Sequence, residues 1–302
     1  MMISELSPRD LRRQLRRGLT FHTRPYITRV KSSIRCFAED FQWMYADYEV
    51  LSDNDVPDFY IRIDGTGGFR RFFRRQCMAY IDINTPFIPL PENLSPLMLE
   101  QALNWSVATR TGTYLVFHAA IVARDGKALL MPGASGQGKS TLCASLVAEG
   151  WQLYSDELTL LDMKTGSVQA YPRPVSLKNQ SIDAIQAVAK DWRFSQRYQE
   201  TPKGTISYML PTREQLDLAD RPAKPVAIIS PRYAPDASAS WELVQPSDTF
   251  LQLIMSSINY NGFGEQSFDF MFNLMETLPM GAVHYNTVED GVAMVEEFVA
   301  QL

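Results

Sequence analysis

The sequence predicts a mixed α/β (α+β) chain. A P-loop nucleotide-binding core spans residues 96–302 and follows an N-terminal, mostly β subdomain over residues 1–95. Three observations predict this. Residues 127–148 run from a short apolar stretch through a glycine-rich loop into an apolar-periodic helix. One helix later, a second short run ends in the acidic pair Asp156-Glu157. Residues 20–91 carry short β-rich runs separated by turn signals.

The loop over 133–140 reads G-x-x-x-x-G-K-S, the phosphate-cradling pattern, and its flanks have the order that pattern requires. Asp125-Gly126 before it is a hairpin turn pair. After it, Leu142, Leu146 and Val147 recur at helical spacing and Gly150 is a helix stop. Gly133, Gly136 and Gly138 let the backbone come close to a polyphosphate. The N–H groups of the loop and of the helix start then face the anion, helped by the helix dipole. Gly133, Ala134, Ser135, Gly136, Gln137, Gly138, Lys139, Ser140 and Thr141 are thus the expected nucleotide site. Lys139 supplies a positive charge for the β- and γ-phosphates of ATP, and Ser140 a hydroxyl for Mg²⁺.

Asp156-Glu157 ends the run 151–155 directly after the loop helix. A strand there, parallel to the one before the loop, would bring its C-terminal end to the edge where open α/β sheets bind ligands. Adjacent acids suit two roles: one carboxylate as an oxygen ligand of Mg²⁺, the other as acceptor of a proton from an attacking hydroxyl. A solvated acidic turn is the plain alternative. The later apolar run 226–229 ends in Ser230-Pro231 with no acid, which leaves the metal role with the earlier pair.

These features resemble the HPr kinase/phosphorylase superfamily, and within it the HPr-related kinase A branch, whose core is shared with phosphoenolpyruvate carboxykinases. The resemblance rests on His118 in Val116-Phe117-His118-Ala119-Ala120, on the loop, and on the acidic pair, and covers roughly residues 110–300. It implies a P-loop kinase core of that type. It also implies Asp156 as catalytic base, Glu157 as contributor to the Mg²⁺ site with Ser140, and His118 near the active site. Residues 171–179 and 202–205 are weaker matches, the latter to a mobile basic segment near the phosphates. Glu157 stands where HPr kinases carry Asp, Thr141 where they carry Glu, and their long Gly- and Ile-rich signature is absent. These departures argue against HPr itself as the substrate.

Composition sets bounds. With 302 residues, 45% hydrophobic and 21% charged, the chain can bury a substantial core. A net charge of −5 gives no support for general nucleic-acid binding. Cys36, Cys77 and Cys143 show no metal spacing and suit a reducing cytoplasm. No apolar run is long enough to span a bilayer.

In chain order, Ser7 is an N-cap with Pro8 in the first turn of a basic helix carrying Leu11 and Leu15. Strands are expected at 26–30, 41–50, 59–63 and 78–83. The aromatic–arginine run 69–75 reads as a strand or hairpin with one charged face. A helix is expected at 97–109, then the His118 strand. Residues 158–171 read as a hairpin and 179–189 as a helix. Residues 191–206 read as an irregular lid or binding loop. Arg173, Lys178 and Lys203 are candidates to touch phosphate, with plain surface roles as the alternative. A buried strand at 226–229, helices at 250–258 and 266–278, a strand at 283–285 holding a structural His284, and a terminal helix from 288 complete the chain.

The expected activity is Mg²⁺- and ATP-dependent transfer of the γ-phosphate to a hydroxyl, with Lys139, Asp156 and His118 at the catalytic centre. Serine of a peptide or protein is the expected acceptor. A kinase of free serine or of a sugar, a non-catalytic nucleotide-binding regulatory module and the reverse phosphorylase reaction stay open, as does oligomerisation.

Overall fold

The computed structural model describes residues 1–68, 73–133 and 136–302. Ala134 and Ser135 of the expected nucleotide loop lie outside the described residues, as do Phe69, Arg70, Arg71 and Phe72 of the aromatic–arginine run.

Helix α1 (Pro8–Arg17) starts as expected, with the Ser7 hydroxyl accepting from the Asp10 amide at 3.1 Å and Leu11 and Leu15 buried. Then follow β1 (Leu19–Thr23), β2 (Tyr26–Ser32), α2 (Arg35–Met44), β3 (Phe59–Gly65), β4 (Gln76–Ile81), β5 (Leu90–Pro91) and α3 (Ser95–Arg110). The strands form one sheet in the order β1-β2-β3-β4-β5, antiparallel except for the parallel β2–β3 pair that α2 bridges. The strand expected at 41–50 is wrong: its first half is helical. Phe37, Ala38, Phe41, Met44, Tyr45 and Tyr48 are buried at helical spacing, while Trp43 is exposed. Counting from Phe41 hid the pair at 37 and 38 and left a false alternation.

The second half runs β6 (Leu115–Phe117), β7 (Ala119–Arg124), β8 (Lys127–Pro132), α4 (Lys139–Ala148) and β9 (Gln152–Ser155). Next are β10 (Thr159–Asp162), β11 (Ser167–Gln169), β12 (Val175–Lys178), α5 (Gln180–Val188), β13 (Tyr198–Thr201), β14 (Gly204–Met209) and α6 (Arg213–Asp217). The chain ends in β15 (Lys224–Tyr233), β16 (Ser240–Leu243), α7 (Pro246–Ser256), α8 (Glu265–Thr277), β17 (Met280–Tyr285) and α9 (Val288–Val299). The fold is mixed α and β with several sheets.

The central six-stranded sheet has the order β16-β17-β15-β8-β7-β9. Strands β8, β15 and β17 run parallel, while β7 is antiparallel to both β8 and β9. The β7–β8 turn is Asp125-Gly126, both at positive φ (52° and 75°), the geometry a two-residue hairpin needs. Alternate residues of each central strand serve opposite faces. Leu129 and Met131 of β8 pack with α4, α5 and α9, and Leu130 packs with Leu253, Met271 and Leu274 of α7 and α8.

Two three-stranded sheets, β11-β10-β6 and β12-β14-β13, flank this core. The segment expected to be an irregular loop at 191–206 holds β13 and the start of β14. Tyr198 and Ile206 of this segment, with Tyr208 just beyond it, join the buried cluster of the N-terminal sheet. β13 and β14 pair as a hairpin, and β12, too far back along the chain for local periodicity to show, pairs with the other edge of β14. Among the described residues no helix is long and apolar enough to cross a membrane.

Candidate functional site

The glycine-rich loop leaves β8 and enters α4 with Gly136 and Gly138 at φ +93° and +90°, values that side chains resist. Two tyrosines hold its far end. Tyr285 donates its hydroxyl to the Gly138 carbonyl at 2.9 Å, and the Tyr233 amide donates to the Gln137 carbonyl at 3.2 Å. A Cβ on Gly138 would come within 2.2 Å of the Tyr285 hydroxyl and 2.8 Å of Tyr233 Cβ. Neither tyrosine was anticipated. They end β17 and β15, strands whose alignment beside β8 is a property of the sheet.

Lys139 opens α4 and is 7% exposed. Its ammonium has two long contacts, 3.5 Å each, to the carbonyls of His118 and Gly133. Burial lowers its pKa, while Asp156 and Glu157 nearby raise it and Lys178 lowers it. The lysine therefore faces both acids with its hydrogen-bonding capacity largely unused.

Asp156 follows the last residue of β9. That strand runs in the same direction as β8, as expected, but with β7 between them. The acids thus reach the loop's edge of the sheet from one strand further out. Asp156 is 4% exposed. One carboxylate oxygen, Oδ2, accepts from the Ser176 amide at 3.1 Å. The other, Oδ1, is buried with no hydrogen-bond partner. Burial pushes the Asp156 pKa up to about 6, with Glu157 adding to the rise and Lys139, Ser140 and the Ser176 amide opposing it.

Glu157 is more open, its side chain 30% exposed, and its Oε2 lies 3.5 Å from His118 Nδ1. His118 is not inside a strand, as its apolar neighbours suggested. It occupies the break between β6 and β7, where the chain passes from one sheet to another, and its amide donates to the Ser256 carbonyl at 2.7 Å. Burial and Lys139 lower the imidazole pKa; Glu157 raises it and Lys203 lowers it.

The structure therefore brings together His118, Lys139, Ser140, Asp156 and Glu157, with the Lys178 and Lys203 charges felt at the same place. Arg173 does not join them. It is buried against Glu100, donates to the Tyr171 hydroxyl at 2.8 Å, and ties α3 to the segment before β12. Its partner lies 73 positions away, so no local pattern marked it as a core ion pair. His284 stands apart, 3.3 Å from Glu242.

Asp156, Glu157 and Ser140 are the oxygen donors here that a divalent cation could use. The buried Asp156 Oδ1, which has no hydrogen-bond partner and lies near the Ser140 hydroxyl, could accept a cation or a proton. Among the described residues no group of three or more His, Cys, Asp or Glu could hold a metal alone.

Residues 91–185 match the family model described as SynChlorMet cassette protein ScmC, a stretch that includes His118, the loop and both acids. No curated protein matches at a significant level. Among solved structures, the chain is similar to one titled as the Hpr(Ser) kinase/phosphatase from Coxiella burnetii, at 12% identity. That similarity covers 62% of this chain and 99% of that one, with a TM-score of 0.27.

Proposed function

We propose that the chain is an ATP- and Mg²⁺-dependent kinase that transfers the γ-phosphate to a hydroxyl, with serine of a peptide or protein as acceptor. The observation that carries this reading is the unpartnered Asp156 Oδ1, buried among Lys139, Ser140 and Glu157 at the mouth of a positive-φ glycine loop. A loop that only held nucleotide would need no second acid and no carboxylate poised near neutral pH.

The loop amides of 133–141 and Lys139 hold the phosphates. Ser140 and Glu157 would hold the metal ion, which when bound neutralises charge on the transferring phosphoryl group. Asp156 accepts the acceptor's hydroxyl proton as that oxygen bonds to the γ-phosphorus. The bond to the bridging oxygen breaks and its electrons leave with ADP. A base with a pKa of about 6 is ionised at pH 7 and still basic enough to take the proton. His118 orients Glu157. Residues 96–302 carry the phosphate chemistry in this reading, residues 1–95 are left for support and acceptor recognition, and the setting is the cytoplasm.

A second arrangement is favoured by exposure. Glu157 is the more open acid and has an imidazole beside it, so Glu157 could take the proton while Asp156 and Ser140 face the metal. Transfer of labelled γ-phosphate in a lysate of the source cell separates the readings. If Asp156 is the base, Asp156→Asn keeps ATP binding and loses transfer about 10²-fold or more, and Glu157→Gln chiefly weakens metal affinity. The exchanged outcome reverses the assignment. ATP binding with no phosphate on any other molecule leaves a regulatory nucleotide binder, and label on a metabolite rather than a peptide makes the acceptor small.

A further inference from the structure

We infer that a cleft between α1 and α2, separate from the glycine loop, is a binding site for a small phosphomonoester. The cleft has a volume of about 280 Å³ and is lined by Arg12, Arg16, Ser32, Ser33 and Arg35, with Leu15 and Ala38 at its base. None of these residues belongs to the loop or to the acidic pair. The volume lies at the lower end of small-molecule sites, about 300 Å³, enough for a phosphate group and a short carrier.

The charge arrangement is what suits an anion. Arg12 and Arg16 stand one helical turn apart on α1, so their guanidinium groups share a side of the helix. Among the described residues no carboxylate pairs with either; the neighbouring Asp10 is taken by Arg13 at 2.7 Å. Arg35 comes from the opposite wall, and its one partner, Glu39 at 3.4 Å, is an exposed i,i+4 acid that holds it weakly. Three permanently charged groups therefore line one cleft, two of them with no carboxylate partner, in a chain whose net charge is −5.

The first turn of α2 carries no acidic side chain, and its N-cap residue Ile34 offers no side-chain cap. Ser33 is fixed by donating its hydroxyl to Asp64 at 2.9 Å, and Ser32 accepts from the Ile34 amide at 3.1 Å. Planar guanidinium forks match phosphate oxygens two at a time. A dianion is better suited than a single carboxylate to three cations.

The test is calorimetric titration of the full chain with inorganic phosphate, O-phosphoserine and a phosphoserine peptide at low salt. All are repeated in Lys139→Ala so that binding at the glycine loop is silenced. Saturable binding that survives Lys139→Ala is expected. It should weaken about tenfold or more in Arg12→Ala/Arg16→Ala, and again in Arg35→Ala, which alters an exposed side chain on the other wall. O-Phosphoserine binding more tightly than the peptide assigns a free metabolite; the reverse order assigns a phosphorylated side chain. Binding that disappears with Lys139 and ignores the arginines overturns the site, as does no heat from any of the three probes.

Discussion

The hydroxyl of Tyr285 donates to the carbonyl of Gly138 at 2.9 Å, joining the end of β17 to the last loop residue before α4. The contact spans 147 positions of sequence and fixes the residue from which Lys139 and Ser140 project. The tyrosine packs so closely that position 138 has room for hydrogen only.

Gly138→Ala is accordingly expected to destabilise the protein by about 2–4 kcal/mol, combining positive-φ strain with overpacking, and to weaken nucleotide binding strongly. Tyr285→Phe loses one hydrogen bond, about 1 kcal/mol. The double variant should cost less than the sum, because the 2.2 Å approach is to the hydroxyl that Phe lacks. Denaturant melts of the four proteins give the coupling; strict additivity would mean that the loop relaxes away from β17.

Lys139→Ala is expected to lower turnover by at least about 10²-fold with little change in melting temperature. The ammonium is buried and has only two long carbonyl contacts, so little native bonding is lost. Phosphate transfer and thermal melts on the same preparation check both halves.

Asp156 ties activity and stability to pH in opposite senses. Its pKa is raised in the fold to about 6 from the ordinary aspartate value of 3.8, so folding favours the protonated acid. Its contribution to stability is complete below about pH 4 and is lost as pH rises through about 6. Asp156→Asn should therefore stabilise the protein at pH 7.5, by on the order of 2 kcal/mol, and give no gain at pH 4. Transfer by the parent should rise with pH through about 6, then level. A stability gain that does not depend on pH would show that the carboxylate is already neutral across the range.

Arg173→Ala is expected to cost about 3–5 kcal/mol, because it leaves Glu100 charged and buried beside Tyr45. The ATP affinity of the folded fraction should not change. A tenfold loss of ATP affinity with an unchanged melt would return Arg173 to the phosphate site.

Much of the second half was legible because its chemistry is local. The glycine loop, the Asp125-Gly126 turn, the helix ending at Gly150 and the acids after β9 each sit within a few residues of what defines them. Pairing was not legible. Periodicity says that β9 is a strand and cannot say that β7 lies between it and β8. Arg173 and Glu100 look like two surface charges until the fold buries both. His118 looked strand-borne because its neighbours are apolar, yet they belong to two different sheets. At 41–50, aromatic residues at every second position imitated a strand over a helix whose true period began at Phe37.

The β13–β14 hairpin gives Tyr198, Ile206 and Tyr208 to the N-terminal core, while Lys203 in its turn reaches His118 electrostatically. A fragment starting at residue 96 would strip those three side chains of most of their neighbours and release the arm that carries Lys203. The hairpin that carries Lys203 is thus moored in the N-terminal core, and the two halves of the chain share one packed surface.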